Sequence, residues 1–579
     1  MHTKHHKPKP EQALAQPKSN IFRVTVLTAF LAVISLFPVY AQSLPLATPI
    51  VEEYLRRQQI QGNFPMDRSF MLRPMLLNSL PVAETTNLEE QIAAMFTFNE
   101  LENVFSVTKL PVQAHYQLNS NYPFGQNNGA MIPNRGSQLL VTGGVIARYG
   151  KISLQIQPEV HFAQNKEFRG MPSTVSTNWR DYYEFLNRID RPERFGEESH
   201  THLLLGNSSL RYTFQNGLSL GVSNEYLWWG PGYRNSIMMS NNAPGFLHVT
   251  VNTAKPIATK WGSFEGQLIA GSLQNSGYLP PNSTMEVART PLYYPKRDED
   301  SRYLAGMVVS FQPKVIPGLY LGYSSTSQVY TNELDGLGDY LPIFNGRKRF
   351  AGMDDPVIAK RQQQSAGFFR WLSTKGSFEI YGEYGTNGNS KTMREVVVNP
   401  DLYRAFTVGF NKLIRLKKAD EFIQLNFEQT QTGQTVRKAI RESKTWYTHD
   451  HVRHGYTHRG QTLGYGHGSG SNSLFLEVSW VREMDKIGLQ FERIVNNNDA
   501  FYLHFEHING WDRYWVDLVP SFVLDRKVGN LLISSRFQYV NTLNYYWVLE
   551  RDPDATLYRL QKGDDRKNIV AHVRIAYLF

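Results

Sequence analysis

No cysteine occurs among the 579 residues of the chain. Disulfide bridges, thiolate metal ligands and cysteine nucleophiles are therefore excluded. A chain of this size without disulfides has to be stabilised by a large core or by an extended ladder of backbone hydrogen bonds.

Long apolar runs are also scarce, and the mean hydropathy is -0.40. A polytopic helical membrane protein needs repeated apolar runs of about 20 residues, and only one is present, at Ile21–Tyr40. Lysines precede this run, Pro38 breaks it, and the small residue Ala41 follows it. This pattern is typical of a secretory signal peptide. We predict that it spans residues 1–41 and is removed before Gln42; the alternative is an uncleaved membrane anchor.

The excess of positive charge is small for a chain of this length. The formal net charge is +10, and residues 1–41 contain five Lys or Arg and one Glu, so the exported chain would carry +6. Proteins that bind nucleic acid cluster their basic residues on one face. The diluted charge therefore predicts no nucleic-acid partner.

Motifs of enzymes are missing as well. The chain has no Gly-x-Ser-x-Gly nucleophile elbow, and the glycines from Gly464 to Gly470 lack the strand-to-helix context of a phosphate-binding loop. The acidic run Asp298, Glu299 and Asp300 is typical of a solvated loop. We predict no catalytic residue and no cofactor, with a hydrolase as the weaker alternative.

Helical periodicity is confined to residues 42–106. In "PIVEEYLRRQQIQG" the apolar residues Val51, Tyr54 and Leu55 recur three and four positions apart, and residues 87–105 show a similar pattern. We predict a small helical segment here, on the periplasmic side if the chain is exported to an outer membrane.

From residue 107 to residue 579 the apolar residues alternate with polar ones. Examples are "LSLGVSNEYLWW" from Leu218, "SLFLEVSW" from Ser473 and "IVAHVRIAYLF" from Ile569. Successive side chains of a strand point to opposite faces, so each segment has one apolar and one polar face.

Tight polar connections, such as "RYGK", "FQNG" and "STKG", alternate with long polar and aromatic intervals, such as residues 163–200 and 274–300. Short turns, long loops and a terminal Phe579 are typical of a transmembrane β-barrel. We predict an all-β outer-membrane barrel of about 18 antiparallel strands. A soluble β-sandwich or propeller is the alternative, although no repeated signature supports a propeller.

Five stretches resemble the capsule assembly Wzi family. They are "NSNYPFGQNNGAMIPNRGSQLLVTGG" (Asn119 to Gly144), "EYLWWGPGYRNSIMMSNNAPGF" (Glu225 to Phe246), "HGYTHRGQTLG" (His454 to Gly464), "DRYWVDL" (Asp512 to Leu518) and "NYYWVL" (Asn544 to Leu549). The resemblance implies an outer-membrane barrel of about 18 strands with a helical bundle at its periplasmic end. It also implies a lectin that holds capsular polysaccharide on the cell surface, rather than an exporter.

The segment from Tyr447 to Ser473 carries the histidines 449, 451, 454, 458 and 467. Zinc sites need two to four imidazoles in fixed geometry, and the spacing permits but does not require one. Many glycines flank the histidines, which favours an external loop, either merely solvated or facing a glycan. We predict no metal.

Glycan recognition needs flat apolar rings for the C–H faces of sugars and planar polar groups for hydroxyls and carboxylates. The candidate polysaccharide-binding residues are Trp229, Arg234, Trp446, Tyr447, Arg453, His454, Tyr456, His458 and Arg459. Trp228, which is in phase with an apolar face, is expected in the interfacial aromatic belt instead.

The leading hypothesis is an outer-membrane surface lectin that binds and organises capsular polysaccharide or another exopolysaccharide. Its expected partners are that polysaccharide, outer-membrane lipid and the polysaccharide export machinery. A porin for small solutes is the main alternative, and it would differ by having an open, conducting lumen.

Overall fold

The structure is a computed structural model, and it describes part of the chain. The described residues are 49–75, 105–171, 176–296, 301–334, 336, 340, 360–387, 398, 404–418, 420–434, 445–502, 514–548 and 563–578. The predicted signal peptide and the predicted second helix, at residues 87–105, lie outside these ranges except for Phe105, which begins a strand.

Within the described residues, 18 antiparallel strands form a closed barrel. In chain order the strands are β1 (Phe105–Asn119), β2 (Gly136–Tyr149), β3 (Ile152–Ile156 and Glu159–Ala163), β4 (His200–Leu204 and Ser209–Thr213), β5 (Leu218–Ser223), β6 (His248–Thr253 and Ile257–Ala258), β7 (Gly262–Leu273), β8 (Arg302–Pro313), β9 (Leu319–Tyr330), β10 (Gln362–Ser373), β11 (Phe378–Asn387), β12 (Arg404–Arg415), β13 (Glu421–Gln431), β14 (Asn472–Arg482), β15 (Asp485–Val495), β16 (Val516–Val528), β17 (Leu531–Leu543) and β18 (Arg566–Tyr577). The predicted fold class and strand number are confirmed.

The other elements are short. They are the helices α1 (Pro49–Gln61), α2 (Ser176–Leu186) and α3 (Asn498–Ala500), the 3-10 turns Thr331–Glu333 and Tyr545–Trp547, and three two-residue strand pairs: Leu72–Arg73 with Trp228–Trp229, Glu286–Val287 with Thr290–Pro291, and Thr457–His458 with Gln461–Thr462. Of the helices in the described ranges, none is both long and apolar enough to cross a membrane.

Strand β1 closes the barrel because it pairs with β2 on one side and with β18 on the other. Closure leaves no sheet edge in the wall, as a lipid-embedded sheet requires. Leu476, Val478 and Ile575 are exposed on the outer face, whereas their sequence neighbours Phe475 and Ser479 point inward and are buried. The apolar alternation read from the sequence is therefore the lipid-facing surface.

The two ends of the barrel differ in the length of their connections. At one end the turns are short, for example between β2 and β3 or between β14 and β15, and at the other they are long, such as the loop from β9 to β10. In outer-membrane barrels the short turns face the periplasm and the long loops face outward. We use this orientation to name the periplasmic and outer ends.

Helix α1 lies inside the periplasmic end of the barrel. Its residues Val51, Tyr54 and Leu55 are buried, as the helical periodicity predicts, and they pack against Leu532 and Ala576 near the strand ends. Because the helix is enclosed by the wall, its polar face is also buried and needs partners there.

Those partners are ion pairs with the barrel. Arg56 Nε donates to Glu379 Oε1 at 2.7 Å, and Arg370 on β10 donates to the other carboxylate oxygen. On the opposite side of α1, Lys486 Nζ lies 2.7 Å from Glu53 Oε2. The helix is thus tied to the wall from two directions.

One charged residue of α1 makes its docking depend on pH. Burial raises the pKa of Glu52 from 4.5 to about 7, although Arg73 Nη1 lies 3.3 Å from its carboxylate. Between those two values the folded state binds more protons than the unfolded state, so stability falls as pH rises through this window.

Burial also acts on Glu53, but the charges of Lys486 and Arg57 outweigh it and lower that pKa. Glu53 therefore contributes its stabilisation fully above pH 4.5.

We expect the docking of α1 to weaken between about pH 4.5 and about pH 7, and we expect Glu52→Gln to remove this dependence. Proteolytic cleavage within α1, followed across the window by mass spectrometry, measures the docking. Glu421→Gln is the matched control, because Glu421 pairs with exposed Lys418 at a periplasmic turn. If E52Q retains the wild-type pH slope, another group is responsible.

Candidate functional site

Two long connections at the outer end fold into the lumen rather than away from it. The first, residues 224–247, follows β5, and the second, residues 445–471, precedes β14. They are joined where Ser240 N donates to Leu463 O at 2.7 Å and where Tyr447 Oη donates to Ile237 O at 2.8 Å. Together they form the main apolar cluster inside the barrel.

The wall makes room for the large rings of these segments with glycine. A Cβ added at Gly306 on β8 would lie 2.8 Å from the Trp229 ring, and one added at Gly385 on β11 would lie 2.9 Å from the Trp446 ring. Contacts that short require the ring to move. The inward-facing glycines of these two strands are thus explained by close approach of tryptophan.

The prediction that Tyr447 to Ser473 forms an external loop is therefore wrong, because this stretch folds into the lumen. The residues of this stretch that carried the glycan prediction are almost all buried: Tyr447 and Tyr456 stack on each other with ring centroids 5.9 Å apart, and Trp446, His454 and His458 are also enclosed. Arg453 and Arg459 are half-buried. Sequence composition suggested solvation because glycine and histidine are common in loops, whereas here the glycines permit close packing.

The histidines of this stretch act as hydrogen-bond partners that hold other loops. His454 Nδ1 lies 3.1 Å from Tyr330 Oη, and His458 Nδ1 accepts from Gln274 N at 3.0 Å. Burial lowers the pKa of His454 to about 2 and that of His458 well below its usual range, so both rings are neutral. His451 Nε2 lies 2.8 Å from both carboxylate oxygens of Glu333.

The structure also separates the histidines from one another. Among the residues it describes, no group of three or more His, Asp or Glu side chains is arranged to hold a metal ion. The five histidines therefore do not converge on one centre.

The two arginines of this stretch bind loop backbone and side chains. Arg453 Nε donates to Asn187 O at 3.1 Å, and its Nη2 donates to Tyr294 O. Arg459 Nε donates to Gln274 Oε1 at 2.9 Å. Both arginines therefore use their hydrogen bonds to join this stretch to other loops at the outer end.

The remaining candidates lie in the first inward segment. Trp229 is fully buried, and its Nε1 donates to Gln267 Oε1 at 2.9 Å. Arg234 Nη2 lies 2.8 Å from Glu492 Oε2. The prediction that Trp228 belongs to the interfacial belt is wrong, because β5 ends at Ser223 and Trp228 is buried in the lumen under the guanidinium of Arg73.

A cavity of about 220 Å³ lies at the outer end, above the inward-folded segments. We call it the outer cavity. Its aromatic lining residues are Tyr122, Phe124, Phe168, Tyr182, Phe185, Trp515, Tyr545, Tyr546 and Trp547. They come from four different connections, so the barrel wall brings together rings that are far apart in sequence.

The aromatic residues around Trp515 form the centre of this lining. The Trp515 ring centroid lies 4.7 Å from that of Tyr546 and 5.0 Å from that of Tyr545. Tyr546 and Trp547 have φ angles of 52° and 57°, in the left-handed region that residues with bulky side chains rarely adopt. Such backbone strain costs on the order of 1–3 kcal/mol per residue and is concentrated at functional sites.

Polar groups complete the cavity. Arg191 is held there by a bond from Nη1 to His467 O at 3.1 Å, and burial raises the pKa of Glu193, whose carboxylate accepts from Met171 N at 3.0 Å. The side chains of Gln126 and Asn497 add amide donors and acceptors. Flat rings beside planar polar groups are the combination that sugar recognition requires.

Sequence reasoning missed this lining, although the signal was present. Trp515 and Tyr545 lie in "DRYWVDL" and "NYYWVL", and Tyr122 lies in "NSNYPFGQNNGAM", stretches already singled out by their family resemblance. Each follows or precedes a strand end on the long-loop side. A position at a strand end on the long-loop side therefore indicated the lining of the outer cavity, whereas the density of histidine and glycine did not.

Comparison with known proteins agrees with the fold. The family described as capsule assembly protein Wzi matches residues 120–518. Among solved structures, the chain is similar to Wzi of Escherichia coli, described as a carbohydrate-binding β-barrel involved in group 1 capsule assembly, with 14% identity, 81% of this chain and 84% of that chain covered, and a TM-score of 0.50.

A weaker likeness, to OccAB2 of Acinetobacter baumannii, has 9% identity, covers 81% of this chain and 97% of that one, and has a TM-score of 0.37. It is too distant to bear on function. No sequence among the curated proteins matches the chain.

Proposed function

The chain belongs to the capsule assembly protein Wzi family, and from this premise we propose that it binds exported polysaccharide at the outer cell surface and helps to order it. The polysaccharide is a capsule or a related exopolysaccharide. The protein acts by binding rather than by catalysis, and it sits in the outer membrane after removal of its signal peptide near Gln42.

The observation that carries this proposal is the aromatic lining of the outer cavity. Trp515 and Tyr546 line the cavity and are half-buried, so part of each side chain is accessible to a ligand, and the strained backbone at Tyr546 holds that ring at the cavity. A half-buried aromatic on a strained backbone contributes less to folding than an unstrained one, since strain lowers stability. A ligand that stacks on the rings explains why it is kept there.

The fully enclosed rings of the inward-folded segments play a different part in this proposal. Trp446 and Tyr447 have 0% exposure, so a polymer reaches them only if the packing opens. We assign them to shaping the floor of the outer cavity. The glycan contacts are assigned to the lining above that floor.

We expect Trp515→Ala and Tyr546→Ala each to weaken binding of a short oligosaccharide fragment by about 2- to 10-fold. An aromatic stacking contact contributes about 0.5–1.5 kcal/mol beyond its buried area, and about 1.4 kcal/mol corresponds to a factor of ten. Purified protein in detergent is titrated with fragments of the polysaccharide extracted from the producing cells. The same variants are then compared in cells.

A polymer bound to many barrels is retained by avidity, so in cells the double variant should shed polysaccharide into the medium without making less of it. Trp261→Ala is the matched control, because Trp261 is 66% exposed at a periplasmic turn. Equal fragment affinity in the wild type and the double variant would exclude the outer cavity as the glycan site. Release of reducing ends from the polymer would instead favour the hydrolase alternative.

A further inference from the structure

A second cavity lies inside the barrel, between α1 and the inward-folded segment 224–247. We call it the inner chamber; its volume is about 170 Å³. Six basic side chains line it, from Arg56, Arg73, Arg234, Lys486, Arg536 and Arg574, against three acidic ones, from Glu52, Glu53 and Asp525. The rings of His115 and His572 also face it.

Four of the six basic residues have carboxylate partners. Arg56 pairs with Glu379, Arg73 with Glu52, Arg234 with Glu492, and Lys486 with Glu53. Neither Arg536 nor Arg574 lies within 4.0 Å of a carboxylate belonging to the described part of the chain. These two guanidiniums therefore have no direct ion pair, and the carboxylates that act on them, Asp525 and Glu52 on Arg574 and Glu492 and Glu477 on Arg536, do so from more than 4.0 Å away.

The strand register places the two arginines side by side on the lumenal face. His115 on β1, Arg574 on β18 and Ser534 on β17 form one cross-strand row. The adjacent row contains His572 on β18 opposite Arg536 on β17. Diagonal neighbours of this kind are about 7–8 Å apart, within reach of long side chains. Like charges at such a distance in a protein interior repel each other.

The imidazole rings of His115 and His572 can supply further hydrogen-bond donors to the inner chamber. Arg574 Nη2 donates to His115 Nδ1 at 3.2 Å, so the other ring nitrogen of His115 carries the proton when the ring is neutral. The His115 and His572 ring centroids are 5.9 Å apart. No hydrogen bond to the His572 ring occurs within the described residues, which leaves its N–H available to the chamber.

We propose that the inner chamber is an oxyanion-binding site, in which Arg536 and Arg574, with the rings of His115 and His572, hold a phosphate or carboxylate group. The planar guanidinium binds both kinds of group in a bidentate manner. A bound oxyanion would give a direct ionic partner to two guanidiniums that have none within 4.0 Å in the described part of the chain. This site is separate from the aromatic outer cavity and does not depend on glycan binding there.

The two cavities share part of their lining. Gln126 and Asn128 line both, and Gln126 Nε2 lies 3.3 Å from Glu492, the partner of Arg234. This turn belongs to the connection between β1 and β2 and borders both cavities.

The test is calorimetric titration of the full chain in detergent with inorganic phosphate, at constant chloride and without other oxyanions. We expect saturable binding, weakened at least tenfold by Arg536→Gln and by Arg574→Gln. Arg482→Gln is the matched control, because it removes the same charge at an exposed pair with Asp420 and should leave the affinity unchanged. Arg536→Lys keeps the charge but not the bidentate geometry. Its affinity for phosphate should therefore lie between that of the wild type and that of Arg536→Gln.

The same proteins are followed by thermal unfolding. Phosphate should raise the wild-type midpoint, because a ligand bound only by the folded state stabilises it, and the shift should vanish in R536Q while the variant still unfolds cooperatively. A tighter response to acetate than to phosphate assigns the site to a carboxylate, and the reverse assigns it to a phosphate group. The proposal is overturned if the wild type shows no saturable heat, or if R536Q and R574Q keep wild-type affinity. Glycan binding by R536Q reports separately on the outer cavity.

Discussion

Replacing Glu379 by glutamine is expected to unseat helix α1 and to lower the free energy of unfolding by about 3–5 kcal/mol. Glu379 and Arg370 are both 0% exposed, and Arg56 is 5% exposed, so the three charges have almost no contact with water. The carboxylate neutralises both guanidiniums, at 2.7 Å from Arg56 Nε and 2.6 Å from Arg370 Nη2. An amide of the same shape leaves two positive charges buried without a counter-ion.

The effect should extend beyond stability, because α1 covers part of the periplasmic end of the lumen. In planar bilayers the wild type should barely conduct, whereas E379Q should show openings as the helix leaves its position. Chemical unfolding in detergent measures the loss of stability. Arg370 also donates to Gln59 Oε1 at 2.6 Å, so the same substitution loosens a second contact of the helix.

Asp420→Asn provides the comparison for this variant. Its partner Arg482 is 48% exposed and Asp420 is 42% exposed, and exposed pairs contribute about 0–1 kcal/mol. The two substitutions change the charge equally, but Glu379 is buried and pairs with two arginines, whereas Asp420 is exposed and pairs with one. Matching unfolding midpoints and matching conductance for E379Q and D420N would contradict the assigned role of the buried cluster.

Replacing Tyr447 by alanine is expected to cost about 3–5 kcal/mol, the range for deleting a buried large aromatic side chain. Its ring stacks on Tyr456, and its hydroxyl donates to Ile237 O at 2.8 Å and accepts from Tyr465 N at 2.9 Å. One side chain therefore joins the two inward-folded segments. Without it, we expect the segments to separate, the lumen to conduct and proteases to cut within residues 445–471.

Tyr447→Phe separates the hydroxyl from the ring. It keeps the stacking on Tyr456 but leaves a buried carbonyl and a buried N–H without their partner, for which we expect a loss of about 1–3 kcal/mol. Tyr294→Ala is the control, since Tyr294 is exposed in the connection between β7 and β8. Wild-type stability in Y447A would mean that the inward-folded segments are held by other contacts.

Substitutions in the histidine-rich stretch do not test glycan contact directly. Tyr456 is buried and stacks on Tyr447, and His458 is buried and accepts from Gln274 N, so their replacement disturbs the floor of the outer cavity. Loss of polysaccharide in such variants would not identify a glycan contact. Trp515 and Tyr546, which line the cavity and are only half-buried, are the residues whose replacement tests contact directly.

The sequence by itself determined the wall of the barrel. A strand with one face in lipid must alternate, and the apolar positions of "SLFLEVSW" and "IVAHVRIAYLF" are the outward-facing ones of β14 and β18. The turns near Tyr149, Asn216 and Lys375 were also readable, because tight turns need specific residue types. The alternation of apolar and polar residues and the residue types of tight turns are local properties, so they can be recognised in a single sequence.

Only the tertiary structure decided the interior. Whether a glycine- and histidine-rich connection extends into solvent or folds back depends on cavities in the opposite wall, such as the space that Gly306 and Gly385 leave for Trp229 and Trp446. Those glycines lie on other strands, more than 50 residues away from the rings they accommodate.

The same holds for both cavities. Trp515 and Tyr122 meet at the outer end, and Arg536 and Arg574 meet in the lumen, because strand register brings distant residues onto one face. Register follows from the closure of all the strands together, and no local pattern in the sequence specifies it. The local sequence pattern therefore predicts the lipid-facing surface, whereas the binding surfaces depend on the strand register of the closed barrel.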